Sequence, residues 1–147
     1  MKITTVAVCL AMCAALSTSA FAESHRDTGQ IKTVRLKFEA FDKHDASTIE
    51  EIYAVDATLH SPDYPQLVGN TQIADTYRRL FEAIPDAKDN LVSLDSAGDK
   101  VYAQFVLTGH LKGAEGKPIS VPIMSVYTVR NGHIVGDTTY YDRKAHS

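Results

Sequence analysis

The side chains able to do chemistry in this sequence are carboxylates, histidines and hydroxyls, and their spacing narrows what that chemistry is. Both cysteines, Cys9 and Cys13, lie near the N-terminus inside an apolar leader. Once that leader is removed, the chain has no thiol nucleophile, no disulfide and no thiolate ligand. His44, His60, His110 and His133 fall on separate elements with no i, i+4 pair, which argues against a metal site. No G-x-S-x-G elbow occurs, and Gly113 and Gly116 flank a Lys/Glu hairpin turn, not a phosphate-cradling loop. No cofactor motif is present. Carboxylates and imidazoles remain, and both can take up or release protons. Asp137 and Asp142 lie on or near the last strand, and a carboxylate enclosed by apolar walls rises in pKa towards working pH. Strand alternation puts Asp137, Thr139 and Tyr141 on one face and Thr138, Tyr140 and Asp142 on the other. Only one face can line a pocket, and a bulge would exchange them. Each carboxylate has a plainer role as well: Asp142 capping a loop or pairing with Arg143 or Lys144, Asp137 facing solvent. His60 is the most suggestive single residue, since an unperturbed imidazole titrates near pH 6.5, at about neutrality. Its plainer role is a hydrogen bond to a backbone carbonyl.

These residues need elements to hold them. Ile31, Val34, Phe38 and Phe41 recur at three to four residues, so a helix is expected from Asp27 to about Lys43. Ser47-Thr48-Ile49-Glu50 has capping-box spacing and should start a short second helix ending near Tyr53. Ala57 to His60 reads as a short strand stopped by Pro62 and Pro65. A third helix is expected from Asn70 to Ile84, with Ile73, Tyr77, Leu80, Phe81 and Ile84 as its stripe and Pro85-Asp86 as its stop. The rest reads as strands: Leu91 to Leu94, Val101 to His110, Ile119 to Val129 and Ile134 to Tyr141, with Asn131-Gly132 as a tight turn. Helices followed by hairpin-linked strands give an α+β fold with an antiparallel sheet. Tyr53, Tyr64, Tyr77, Tyr127 and Phe105 read as core or pocket lining. The sheet carries apolar side chains on both faces, which predicts a homodimer.

Residues 1–22 read as a secretory signal peptide. Met1-Lys2 is a positive start, Ile3 to Leu16 is apolar, and Ala20-Phe21-Ala22 is an A-x-A cleavage site ahead of Glu23-Ser24-His25-Arg26-Asp27. The apolar run is short for a membrane span. Neither Val8 nor Met12, the residues before the cysteines, suits a lipoprotein site. Cleavage after Ala22 leaves one domain, residues 23–147, in the periplasm or outside the cell. The chain has 15 Lys and Arg against 18 Asp and Glu. Losing Lys2 makes the balance more acidic, so nucleic acid is not an expected partner, and no membrane association is expected after cleavage.

The segments "YAVDATLHSP", "VGNTQIADTYRRLFEAIPD" and "YTVRNGHIVGDTTYYD" together resemble the SnoaL-like branch of the nuclear transport factor two-like superfamily. The matching features are Asp56-Ala57 to His60 and Pro62, Gly69 to Ile84-Pro85-Asp86, and Gly132, Ile134-Val135 to Tyr141-Asp142. The resemblance implies a cone, an α-α-β-α-β-β-β-β chain whose curved antiparallel sheet wraps the long N-terminal helix around an apolar pocket. Such cones host polyketide and ester cyclases, ketosteroid isomerases, dehydratases, epoxide hydrolases and plain binding domains, so fold does not settle function.

The resemblance also implies roles. An isomerase's base falls on Ser61, its helix-one Tyr near Lys37 and its oxyanion-hole Asp near Ser125. A serine hydroxyl cannot abstract a carbon-bound proton at neutral pH, so ketosteroid isomerase chemistry is not expected. Cyclase-type members carry an acid/base carboxylate on the last strands near a His, which implies His60, Asp137 and Asp142 as catalytic residues, with Asp137 on the favoured face. Ser61, Tyr64, Phe105, Ile123, Ser125, Thr139 and Tyr141 are the implied ligand lining. Two functions follow: an exported enzyme transferring protons on a small apolar carbonyl compound, cyclase-like or isomerase-like, or a non-catalytic periplasmic binding or accessory domain. No metal or cofactor is implied for either.

Overall fold

A computed structural model describes residues 29–113 and 115–142. The expected signal peptide, the expected helix start at Asp27 and the pair Arg143-Lys144 lie outside the described residues. The chain runs α1 (Gly29–Asp42), α2 (Ala46–Ile52), β1 (Tyr53–Ser61), β2 (Tyr64–Val68), α3 (Asn70–Ala83), β3 (Lys88–Ala97), β4 (Lys100–His110), β5 (Pro118–Arg130) and β6 (His133–Tyr140). The strands form one curved, unclosed sheet in the order β2-β1-β6-β5-β4-β3. Every neighbouring pair is antiparallel except β1 with β6, which is parallel. This is the α+β cone expected from the sequence.

The helices lie in the hollow of the sheet because each carries an apolar stripe. Phe38 of α1 meets Phe105 edge-on at 5.0 Å and Tyr127 at 6.3 Å. Phe41 meets Phe81 of α3 at 5.1 Å and Tyr77 at 5.9 Å. Edge-to-face pairs of this kind contribute about 0.5–1.5 kcal/mol each beyond area burial. Asn131 and Gly132, with φ of 51° and 78°, make the left-handed hairpin turn between β5 and β6. Gly69, with φ of 97°, precedes α3 and donates its N–H to the Ala57 carbonyl at 2.8 Å, tying that helix to β1. Among the described residues no helix is long and apolar enough to cross a membrane.

Three local expectations are corrected. The chain after Pro62 forms β2, which contains Pro65. A proline is tolerated there because β2 is an edge strand, paired on one side only. The cap of α2 is Asp45, not Ser47: its carboxylate accepts from the Thr48 N–H at 3.0 Å and from the Ser47 and Thr48 hydroxyls. β3 starts at Lys88, earlier than Leu91, which places Asp89 on a strand facing the core.

Candidate functional site

The hollow between sheet and helices leaves a cavity of about 250 Å³. Its walls are largely apolar, with Phe41, Leu59, Phe105, Leu107 and Ile123 prominent. Polar groups enter it at three places. At its buried floor, Lys37 of α1 reaches across to Asp89 of β3, Nζ to Oδ2 3.2 Å. Lys37 occupies the inward stripe because it lies three residues after Val34 and four before Phe41, so the helix turns it into the core. Its ammonium sits 4.6 Å from the Phe38 ring centroid, 5.0 Å from Phe41, 5.3 Å from Tyr77 and 5.6 Å from Phe105. Burial pulls the ammonium down, but the nearby Tyr127 and Tyr77 and the carboxylates Asp89 and Asp137 outweigh it and hold Lys37 well above its ordinary pKa. Burial raises Asp89, and the Lys37 charge offsets only part of that rise.

The second polar group is a chain across β5 and β6. The Ser125 and Thr139 hydroxyls are bonded at 2.9 Å, Thr139 donates to Asp137 Oδ1 at 3.3 Å, and Tyr53 donates to Asp137 Oδ2 at 2.7 Å. Ser125 lines the cavity, but Asp137 stands behind it, 1% exposed. Burial pushes Asp137 above the usual carboxylate range, against the opposing Lys37 charge and the bonds from Tyr53 and Thr139. The parity that turns Asp137 inward survives because the β-bulge of β6 precedes it. The register slips at Val135, between the pairs Val129–Ile134 and Thr128–Gly136, and is regular from Asp137 onward.

The third group is at the rim. The Ser61 hydroxyl is 3.0 Å from that of Tyr141, which donates in turn to Asp63 on the β1–β2 turn. Among the described residues, no group of three or more His, Cys, Asp or Glu side chains is placed to hold a metal ion.

The sequence-derived site residues divide accordingly. Ser61, Tyr64, Phe105, Ile123, Ser125, Thr139 and Tyr141 all line the cavity. Asp137 faces the same interior and reaches the cavity through Thr139. His60 does not join them: it is exposed and pairs with Thr138 on the outer face, while its neighbours Leu59 and Ser61 point inward. Asp142 is exposed beyond the end of β6 and is not part of the lining. The reason for both is strand parity, which sends His60, Thr138 and Tyr140 away from the helices. Lys37 and Asp89 were not among the expected functional residues. Lys37 carried a readable signal, a charged residue on the apolar stripe of a helix. Asp89 carried none beyond lying in a segment that pairs with β4.

The matched sequence family is the SnoaL-like domain, over residues 34–136. Among solved structures, a protein of ketosteroid isomerase-like fold from Catenulispora acidiphila, in complex with trimethylamine, is 24% identical, with a TM-score of 0.73 over 78% of this chain and 88% of that one. A candidate SnoaL-like polyketide cyclase from Jannaschia sp. CCS1 is 20% identical, with a TM-score of 0.72 over 80% of this chain and 88% of that one. An epoxide hydrolase of M. tuberculosis is 15% identical, with a TM-score of 0.70 over 80% of this chain and 86% of that one. A search of curated proteins finds no match. At these identities the structural likenesses speak for the fold, and the sequence match over most of the folded domain supplies the family: the chain belongs to the SnoaL-like domain family.

Proposed function

We propose that this protein is exported and that its cone binds a compact, apolar carbonyl compound on which it performs acid/base proton transfer, cyclase-like or isomerase-like. The observation that carries this reading is the buried Lys37–Asp89 pair in an otherwise apolar cavity. Taking two charges out of water costs several kcal/mol per ion, and an apolar pair of similar size would pack as well or better. A charge pair kept there suits a site that handles charge on a ligand. Asp89, with its pKa raised by burial, is the proton acceptor of this reading, and Asp137 acts through Thr139. His60 and Asp142 have no part in it. The cavity lies below the roughly 300–1,000 Å³ usual for ligand sites, which favours one or two rings over a larger polycycle.

The alternative is a binding domain without turnover, favoured by the serines at 61 and 125 where an isomerase needs carboxylates. Deuterium uptake from heavy water into a panel of one- and two-ring ketones separates the two. Exchange above the buffer rate that disappears in Asp89→Asn supports the enzyme; tight binding with no exchange supports the binder. Export has its own test, since intact-mass analysis of periplasmic material should give a chain beginning at Glu23. Recovery of a species that keeps Met1 would refute it.

A further inference from the structure

The hydroxyl of Tyr127 has no hydrogen-bond partner among the described residues, although Tyr127 is 1% exposed and lines the cavity. The neighbouring buried hydroxyls are served: Tyr53 by Asp137, and Ser125 by Thr139. A buried polar group left without its bond costs about 1–3 kcal/mol, so an orphan hydroxyl on a cavity-lining residue points to an occupant that satisfies it. Lys37 has spare capacity of the same sign. An ammonium has three N–H donors, and Asp89 takes one of them at 3.2 Å. Ring faces surround the rest of the group; they attract its charge but supply no oxygen acceptor. Lys37 and Tyr127 share a neighbour, since the Phe38 ring lies 4.6 Å from Lys37 Nζ and 6.3 Å from the Tyr127 ring. Burial drives the Tyr127 phenol well above its ordinary pKa, and the Lys37 charge is the strongest influence opposing it. Tyr127 is therefore a donor at any working pH.

We propose that Lys37 Nζ and Tyr127 Oη form a seat for one oxygen of the ligand, and that this seat selects molecules that arrive uncharged: carbonyl compounds and phenols in preference to carboxylates of the same shape. The proposal rests on the small-molecule reading above and specifies which end of the molecule enters first. The charge argument decides the class. Asp89 already balances Lys37, and Asp137 lies on the same inner face. A neutral carbonyl or phenol therefore adds no net charge to the apolar interior, and negative charge that develops on its oxygen later meets the ammonium. A permanent carboxylate would add an uncompensated anion beside two acidic groups.

Three probes of one shape test this: naphthalene, 2-naphthol and 2-naphthoate, titrated by fluorescence into the purified protein and its variants. The wild type should bind 2-naphthol roughly tenfold more tightly than naphthalene, the scale of one charge-assisted hydrogen bond, and 2-naphthoate more weakly than 2-naphthol. Tyr127→Phe should remove most of the preference for 2-naphthol, leave naphthalene affinity unchanged and leave the melting temperature unchanged or raised, because the lost hydroxyl has no partner. Lys37→Met should also remove the preference; if that variant does not fold, Tyr127→Phe carries the test alone. Unaltered 2-naphthol affinity in Tyr127→Phe overturns the seat, and tighter binding of 2-naphthoate than of 2-naphthol overturns the selection for uncharged ligands. If neither naphthalene nor 2-naphthol binds the wild type, the small-molecule reading of the cavity fails, and the seat with it.

Discussion

Lys37 and Asp89, 52 positions apart in the sequence, meet at 3.2 Å inside the cone, where neither residue is more than 6% exposed. The contact fixes α1 against β3, and the Asp89 N–H adds to it by donating to Asp42 at the end of α1, 3.1 Å away. A buried ion pair is weak evidence of net stabilisation, but breaking one side of it strands a charge in an apolar interior. Lys37→Met should cost about 3–5 kcal/mol, read by urea denaturation. The double variant Lys37→Met with Asp89→Leu should recover most of that loss. A single variant as stable as the wild type would show that Asp89 takes up a proton readily or that the pair does not form in solution.

The pH dependence of stability should carry the mark of Asp137. Its folded pKa is raised above the ordinary 3.8 by burial, so the folded state favours the protonated form. The stability this supplies is complete below the unfolded value and is lost as pH rises through the folded one. In Asp137→Asn that dependence is absent. The stability of the wild type relative to Asp137→Asn should therefore fall as pH rises above about 4. Denaturation midpoints of both proteins across the acid range check it; a difference that grows with pH would mean the carboxylate is ionised and stabilised by its bonds from Tyr53 and Thr139.

Substitutions on the two faces of the last strands should separate cleanly. His60→Ala and Asp142→Asn should change 2-naphthol affinity by no more than about twofold, the scale of an exposed substitution. Thr139→Val, in the cavity wall, should weaken it several-fold and loosen the Asp137 carboxylate, which loses a donor. Loss of binding in His60→Ala with an unchanged melting temperature would return the imidazole to the site.

The outer face of the sheet bears on assembly. Tyr102, Met124 and Tyr140 are each at least 40% exposed there, and the register places Gln104 beside Met124 and Met124 beside Tyr140. We infer that two copies pair through this face, burying roughly 1,200–2,000 Å² in total. Light scattering on a sizing column should give twice the chain mass for the wild type and a single chain for Met124→Glu. A monomeric wild type at high micromolar concentration would refute the pairing.

Local pattern alone carried the fold's outline. The three-and-four spacing of Ile31, Val34, Phe38 and Phe41, the stripe of α3, the alternation of β4 and the Asn131-Gly132 turn each depend on neighbours a few residues away, and each forms as read. The same parity turned Asp137, Thr139 and Tyr141 to one face. What local pattern could not supply was decided by partners distant in sequence. Pro65 lies in a strand because the sheet leaves that edge unpaired. Asp45 displaced Ser47 as the cap of α2 because its carboxylate reaches three donors at once. Which face of β1 closes on the helices sent His60 outward, a choice made by the sheet as a whole. Lys37 and Asp89 became the charged floor of a cavity only when the curvature of the sheet brought α1 and β3 together. Periodicity is a short-range property of a chain, whereas desolvation and charge pairing depend on what surrounds a group in space, and that surrounding exists only once the sheet has closed over the helix.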